Sequence, residues 1–136
     1  MAKLKAERGT GNKVQGEALV CTDPIHFGQD FSDSGVGQNP RHELYGKSIK
    51  DKILILTHPK SGSGHGGMAL LEMAANKGAP KGLIYQAVNP VVVFGAILTD
   101  IPIMDQFDQN PVDVIHSGDS VTMNPEALVV EISPPA

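Results

Sequence analysis

A chain of 136 residues with 40% hydrophobic content and a net charge of -4 has the length of one domain with a real core. Aromatic residues reach only 4% and Trp is absent, which argues against stacking platforms for single-stranded nucleic acid. The basic residues Lys3, Lys5 and Arg8 read as a solvated tail rather than a phosphate-backbone contact. One cysteine, Cys21, cannot form an internal disulfide, nor alone hold a thiolate zinc or an iron–sulfur cluster, and in its apolar run it reads as a small buried hydrophobe. The opening residues are charged and no run is long and apolar enough to span a bilayer. The expectation is a cytoplasmic chain with neither nucleic acid nor membrane as partner.

In chain order, residues 1–13 read as a loosely held N-terminal segment with turn chemistry at Gly9-Thr10-Gly11-Asn12. Val14 to Cys21 becomes continuously apolar and is predicted as a strand. Thr22-Asp23-Pro24 breaks it, and Ile25-His26-Phe27 is expected to form a second short strand. Gly28 to Arg41 is a long polar, glycine-containing segment, as suited to approaching a ligand as to being a plain surface loop. Ile53 to Thr57 is the next strand. The stretch Lys60-Ser61-Gly62-Ser63-Gly64-His65-Gly66-Gly67 follows, and Met68 to Lys77 reads as a helix stopped by Gly78 and Pro80. Gly82 to Tyr85 is a strand, so Ile53 to Tyr85 forms one β-α-β unit with parallel strands and a right-handed crossover. Asn89-Pro90 caps a second helix, with Val91, Phe94, Ile97 and Leu98 on one face. Ile101 to Met104 is a short strand, which tolerates Pro102 only at an edge or a strand start. Val112 to His116 fits helix and strand equally. Val121-Thr122-Met123 and Leu128 to Ile132 form a β-hairpin. With no internal repeat or linker, residues 1–136 read as a single domain of mixed α/β class.

The chemistry points to the glycine-rich stretch. A turn of this kind between a strand and a helix leaves backbone N–H groups free at the helix N-terminus, where they and the helix dipole attract negative charge. Gly62-x-Gly64-x-x-Gly67 matches the dinucleotide fingerprint formally, but no acidic residue follows about twenty positions on. The nucleotide-hydrolase phosphate loop needs Lys then Ser or Thr after its last glycine, and Met68 stands there. Ser63 lacks the glycines of a hydrolase elbow, having Ser61 and His65 two positions either side. His26, His42, His58, His65 and His116 show no metal-ligand spacing, so no metal site is assigned, and each suits a surface or hydrogen-bonded role. His58 and His65 flank the glycine loop. Ser63 by itself fits an N-cap better than a catalytic group.

The order of segments resembles the small subunit, or swivelling domain, of aconitase X enzymes, over about Val14 to Ile132. The matching pieces are Gly16-Glu17-Ala18-Leu19-Val20, Pro24-Ile25-His26-Phe27, Gly46-Lys47-Ser48-Ile49, Lys52-Ile53-Leu54, Gly62-Ser63, Gly78-Ala79-Pro80-Lys81, Gly95-Ala96, Ile101-Pro102 and Ser117-Gly118-Asp119. The resemblance implies a swivelling β/β/α fold, a sheet with two helices, and hydro-lyase activity on a small hydroxy acid of the mevalonate 5-phosphate or cis-3-hydroxy-L-proline class. It implies that Ser63 is the catalytic serine and that a large partner subunit carries an iron or iron–sulfur centre, with no cofactor on this chain. Ser61, Gly62, Gly64, His65, Gly66 and Gly67 are then substrate contacts. The loop departs from the family at Gly64 and Gly67, where some members place Thr, Cys or Ser, and at His65, where a small or apolar residue is usual. Phe27-Gly28-Gln29-Asp30 is likewise not the usual glycine pair. These changes bear on the substrate rather than on the reaction class. The competing reading is a stand-alone anion-binding domain that uses the glycine loop without chemistry.

Overall fold

The structure, a computed structural model, describes residues 2–59 and 65–135, and for residues 65–67 the backbone alone. Its strands are β1 (Ala2–Thr10), β2 (Val14–Val20), β3 (Ile53–Leu56), β4 (Gly82–Tyr85), β5 (Ile103–Phe107), β6 (Ser120–Asn124) and β7 (Val129–Ser133). Its helices are α1 (Phe27–Asp30), α2 (His65–Ala75), α3 (Pro90–Leu98) and α4 (Pro111–Val114). The strands close a barrel in the order β1-β5-β4-β3-β2-β6-β7, with β7 pairing back onto β1. Strands β2, β3, β4 and β5 run parallel, and the remaining pairings are antiparallel.

Period-two alternation divides the apolar residues between two cores. Ile53 and Ile55 of β3 and Ile84 of β4 join Leu4, Ala18, Met104, Val121, Met123 and Val130, so every strand contributes to the barrel interior. The alternate residues Leu54, Leu56, Leu83 and Tyr85 face outward under the helices, against Leu70 and Met73 of α2. Strands buried on both faces read as continuous apolar runs, which is why Ile53-Leu54-Ile55-Leu56 shows no alternation in its sequence. Each fully buried Leu or Ile contributes about 1.5–3 kcal/mol.

The predicted β-α-β unit is present, with β3 and β4 parallel in the register Leu54↔Leu83 and Leu56↔Tyr85. The C-terminal hairpin is present too, β6 on β7 with Val121 opposite Ile132. Asn89 caps α3, its Oδ1 accepting the Val92 N–H at 2.9 Å, with Pro90 in the first turn.

Several expectations are corrected. The N-terminal segment is not loose: Ala2–Thr10 is a barrel strand that pairs with β5 through Ala6↔Phe107 and with β7 through Leu4↔Val130. Its charged residues face out, while Leu4 is fully buried and fixes the strand on the core. The second strand expected at Ile25-His26-Phe27 is instead the cap and start of α1, with the His26 side chain accepting the Gln29 N–H. The short strand expected at Ile101 to Met104 starts at Ile103, after Pro102, whose carbonyl accepts the Leu83 N–H at 2.9 Å. Residues 111–114, open in the sequence, form α4. The two expected helices are α2 and α3, and α1 and α4 are single turns beside them.

The apolar face assigned to α3 is also reversed. Val92, Gly95 and Ala96 are the buried residues, while Phe94, Ile97 and Leu98 are exposed. Small residues inside let α3 lie close against α2, and that close approach turns the larger side chains to the surface.

Candidate active site

Four parallel strands in one sheet leave their carboxyl ends at one edge, and in open α/β sheets ligands collect there. Register defines that edge. Val20 lies opposite Ile55, and the Cys21 N–H continues the ladder to the Ile55 carbonyl at 3.0 Å. Leu56 lies opposite Tyr85. Cys21, Leu56 and Tyr85 therefore form a row across β2, β3 and β4, all three in the outer core beneath the helices. From this row the chain leaves by the segment after Cys21, by the glycine loop after β3, and by the Asn89 cap after β4.

The segment after Cys21 is held by side chains. Glu43 Oε1 accepts the N–H groups of Thr22 at 2.5 Å and Asp23 at 2.6 Å, the Thr22 hydroxyl at 3.0 Å and the Cys21 thiol at 3.3 Å. Burial alone would pull the Glu43 carboxyl up, but these donors together outweigh it and hold it below its ordinary value. Burial, followed by the Glu43 carboxylate, pushes the Cys21 thiol up, so it stays protonated and unreactive. The Tyr85 hydroxyl is fully buried without a hydrogen-bond partner among the described residues, and burial, with Cys21 second, pushes it up as well.

Farther along, Asp30 is fully buried and accepts the His26 N–H and the Asn39 amide, each at 2.8 Å. His26 Nδ1 accepts the Gln29 N–H at 3.1 Å, which makes Nε2 the protonated nitrogen of the neutral ring. This segment then runs along α2 to its far end, where the Ser34–Gly35 backbone packs on Gly78.

Ser61, Gly62, Ser63 and Gly64 lie outside the described residues. His65, Gly66 and Gly67 form the first turn of α2, whose start carries no acidic residue. Two helices of nine or more residues, α2 and α3, thus begin at the same edge of the barrel, and both dipoles favour an anion there. Of the remaining histidines, His58 and His116 are exposed and His42 is buried against Pro24 O at 3.1 Å. Among the described residues no three His, Cys, Asp or Glu side chains come together as a metal site, and no helix is long and apolar enough to cross a membrane. Asp30 and Glu43 were not singled out as partners in the sequence. The cue available was position: Asp30 falls four residues after His26, within reach of that residue's backbone.

A seven-stranded barrel with a parallel half, whose helices begin over one edge, is the architecture of an aconitase swivel, and the chain belongs to the aconitase X swivel domain family, whose model matches residues 3–132. Among its relatives is the phosphomevalonate dehydratase small subunit of Methanocella arvoryzae, 36% identical over 132 residues, covering 96% of this chain and 99% of that protein. The protein of the same name from Pyrococcus abyssi is 33% identical, covering 96% and 98%. The crystal structure of Thermococcus kodakaraensis aconitase X in its holo-form superposes with a TM-score of 0.89 at 31% identity, covering 98% of this chain and 99% of that one.

Proposed function

We propose that this chain is the small subunit of a dehydratase acting on mevalonate 5-phosphate or a closely related hydroxy acid. The observation that carries the reading is a match over nearly the whole length to proteins named phosphomevalonate dehydratase small subunit. The start of α2 suits such a substrate, because a phosphate or carboxylate is bound well by free N–H groups at a helix N-terminus. Gly62, Gly64, Gly66 and Gly67 allow the substrate to approach the backbone, and Ser61 and His65 contribute polar contacts.

Dehydration removes a proton beside a carboxylate and expels the hydroxyl of the neighbouring carbon. Ser63 is the base in this proposal. A free serine hydroxyl is too weak an acid to serve as its alkoxide at neutral pH, and the N–H groups and dipole of α2 stabilise that anion. The described residues of this chain do not fit an iron or iron–sulfur centre: they hold no suitable cluster, and the Cys21 thiol is directed to Glu43 and to the Asp23 carbonyl. Such a centre is assigned to the large partner subunit.

The test is coexpression with the large subunit and assay of water loss from mevalonate 5-phosphate, with cis-3-hydroxy-L-proline as the comparison acid. Ser63→Ala is expected to lower kcat by roughly 10²–10⁴, the range of a lost acid–base group, with an unchanged melting temperature. Full activity in that variant overturns the role of Ser63. Absence of water loss from either acid by the intact complex overturns the dehydratase reading.

A further inference from the structure

Helix α3 has the sequence Pro-Val-Val-Val-Phe-Gly-Ala-Ile-Leu, without one polar side chain. A helix apolar on every side belongs in an interior. Here only its small face is covered: Phe94, Ile97 and Leu98 are 59%, 57% and 46% exposed. They lie at i, i+3 and i+4, on one stripe. The stripe continues into a cleft of about 220 Å³ between α3 and strands β1 and β5, walled by Val88, Val93, Ile97 and Ile103. Arg8 lies at the rim with its side chain 58% exposed. It is bound from below by Asp105, through Nε to Oδ1 at 3.0 Å and Nη2 to Oδ2 at 2.7 Å. Asp105 is only 3% exposed, so of this ion pair the guanidinium is the group that meets solvent, with the exposed Glu7 next to it in sequence.

We propose that the outer face of α3 and this cleft are the docking surface for the large subunit, which inserts an apolar side chain flanked by a carboxylate that meets Arg8. This rests on the reading of the chain as a small subunit. The three exposed side chains present on the order of 300 Å² of apolar surface. A specific interface buries about 800 Å² per partner, somewhat over half of it apolar, so the stripe supplies well over half of that apolar part. Charge does not separate a second copy from another chain, because Arg8 is already paired with Asp105 and the carboxylates of Glu7 and Asp100 are exposed beside Arg8 and Leu98. The relatives are named small subunits, so a larger chain is the partner for which the face exists.

The experiment is retention of the large subunit by the tagged chain after coexpression, with the melting temperature of each variant measured alone. Phe94→Glu and Ile97→Glu are expected to reduce the retained large subunit at least tenfold, and the Phe94→Ala/Ile97→Ala double variant at least threefold, with melting unchanged. Lys50→Glu, exposed near the amino end of β3, is expected to retain it fully. Undiminished retention in the α3 variants, equal loss in Lys50→Glu, or no retention by the unmodified chain overturns the proposal. So does a dimer of the isolated chain that Phe94→Glu dissolves. A complex that assembles through α3 yet dehydrates no hydroxy acid counts against the proposed reaction and leaves the docking surface standing.

Discussion

Glu43 shows how one side chain can set the shape of a whole connection. Its Oε1 gathers two backbone N–H groups, a hydroxyl and a thiol from three consecutive residues, Cys21, Thr22 and Asp23, just where β2 ends. Asp23 reciprocates by accepting the Glu43 N–H through Oδ2 at 3.0 Å. These donors favour the ionised carboxylate and lower its pKa in the folded chain. A group whose pKa is lowered on folding contributes stability that is complete above its unfolded value, about 4.3, and is lost as pH falls through the lowered folded value. The wild-type melting temperature is therefore expected to drop more steeply than that of Glu43→Gln as pH falls below the unfolded value of about 4.3. Because the group is largely exposed to solvent the difference is modest, and parallel melting curves across that window would show that the carboxylate contributes nothing by its charge.

At the scale of elements, the end of α2 illustrates both what a sequence reveals and what it conceals. Gly78 and Pro80 announce a helix stop, and the helix does stop there. The left-handed residue, however, is Lys77, with φ 60, and the Gly78 N–H closes the turn onto Met73 O at 2.8 Å. Glycine is needed at 78 for another reason: a Cβ there would overlap the Ser34 carbonyl carbon and the Asp33 carbonyl oxygen of the crossing segment. Gly78→Ala is expected to destabilise the chain by about 2–4 kcal/mol in denaturant unfolding, within the range of severe overpacking, whereas a stop signal alone would cost well under 1 kcal/mol. The helices α2 and α3 and strands β2, β3, β4, β6 and β7 were legible because cap, period and turn agree locally. The face of α3 was not, since spacing identifies an apolar stripe without saying which neighbour covers it. Small Gly95 and Ala96 won the contact with α2 because they permit the closer approach. The place of the glycine stretch between β3 and α2 was legible, while the Glu43 clasp joins residues about twenty positions apart in sequence, and no local pattern encodes such partners.

At the scale of the molecule, the barrel depends on its first strand. Lys3, Lys5, Glu7 and Arg8 make this segment look like a tail, because most outward residues are polar and only Leu4 and Ala6 face the core. Yet β1 is the one strand bonded both to β5 of the parallel half and to β7 of the antiparallel half. Without it the parallel half ends at β5 and the hairpin ends at β7, two unpaired edges beside an opened interior, the arrangement that leads to aggregation. Deleting residues 2–10 is expected to abolish the cooperative melt and shift the protein to the insoluble fraction. Leu4→Ala keeps the strand and removes only its buried side chain, for about 2–5 kcal/mol, or a melting temperature lower by roughly 10 °C. A soluble truncated chain that melted cooperatively at the wild-type temperature would mean that the other strands close the interior unaided and that β1 is an appendage. The sharp contrast expected between the two variants follows from closure: a missing methyl cluster costs in proportion to its volume, but a missing strand removes the hydrogen-bond partners of two others at once.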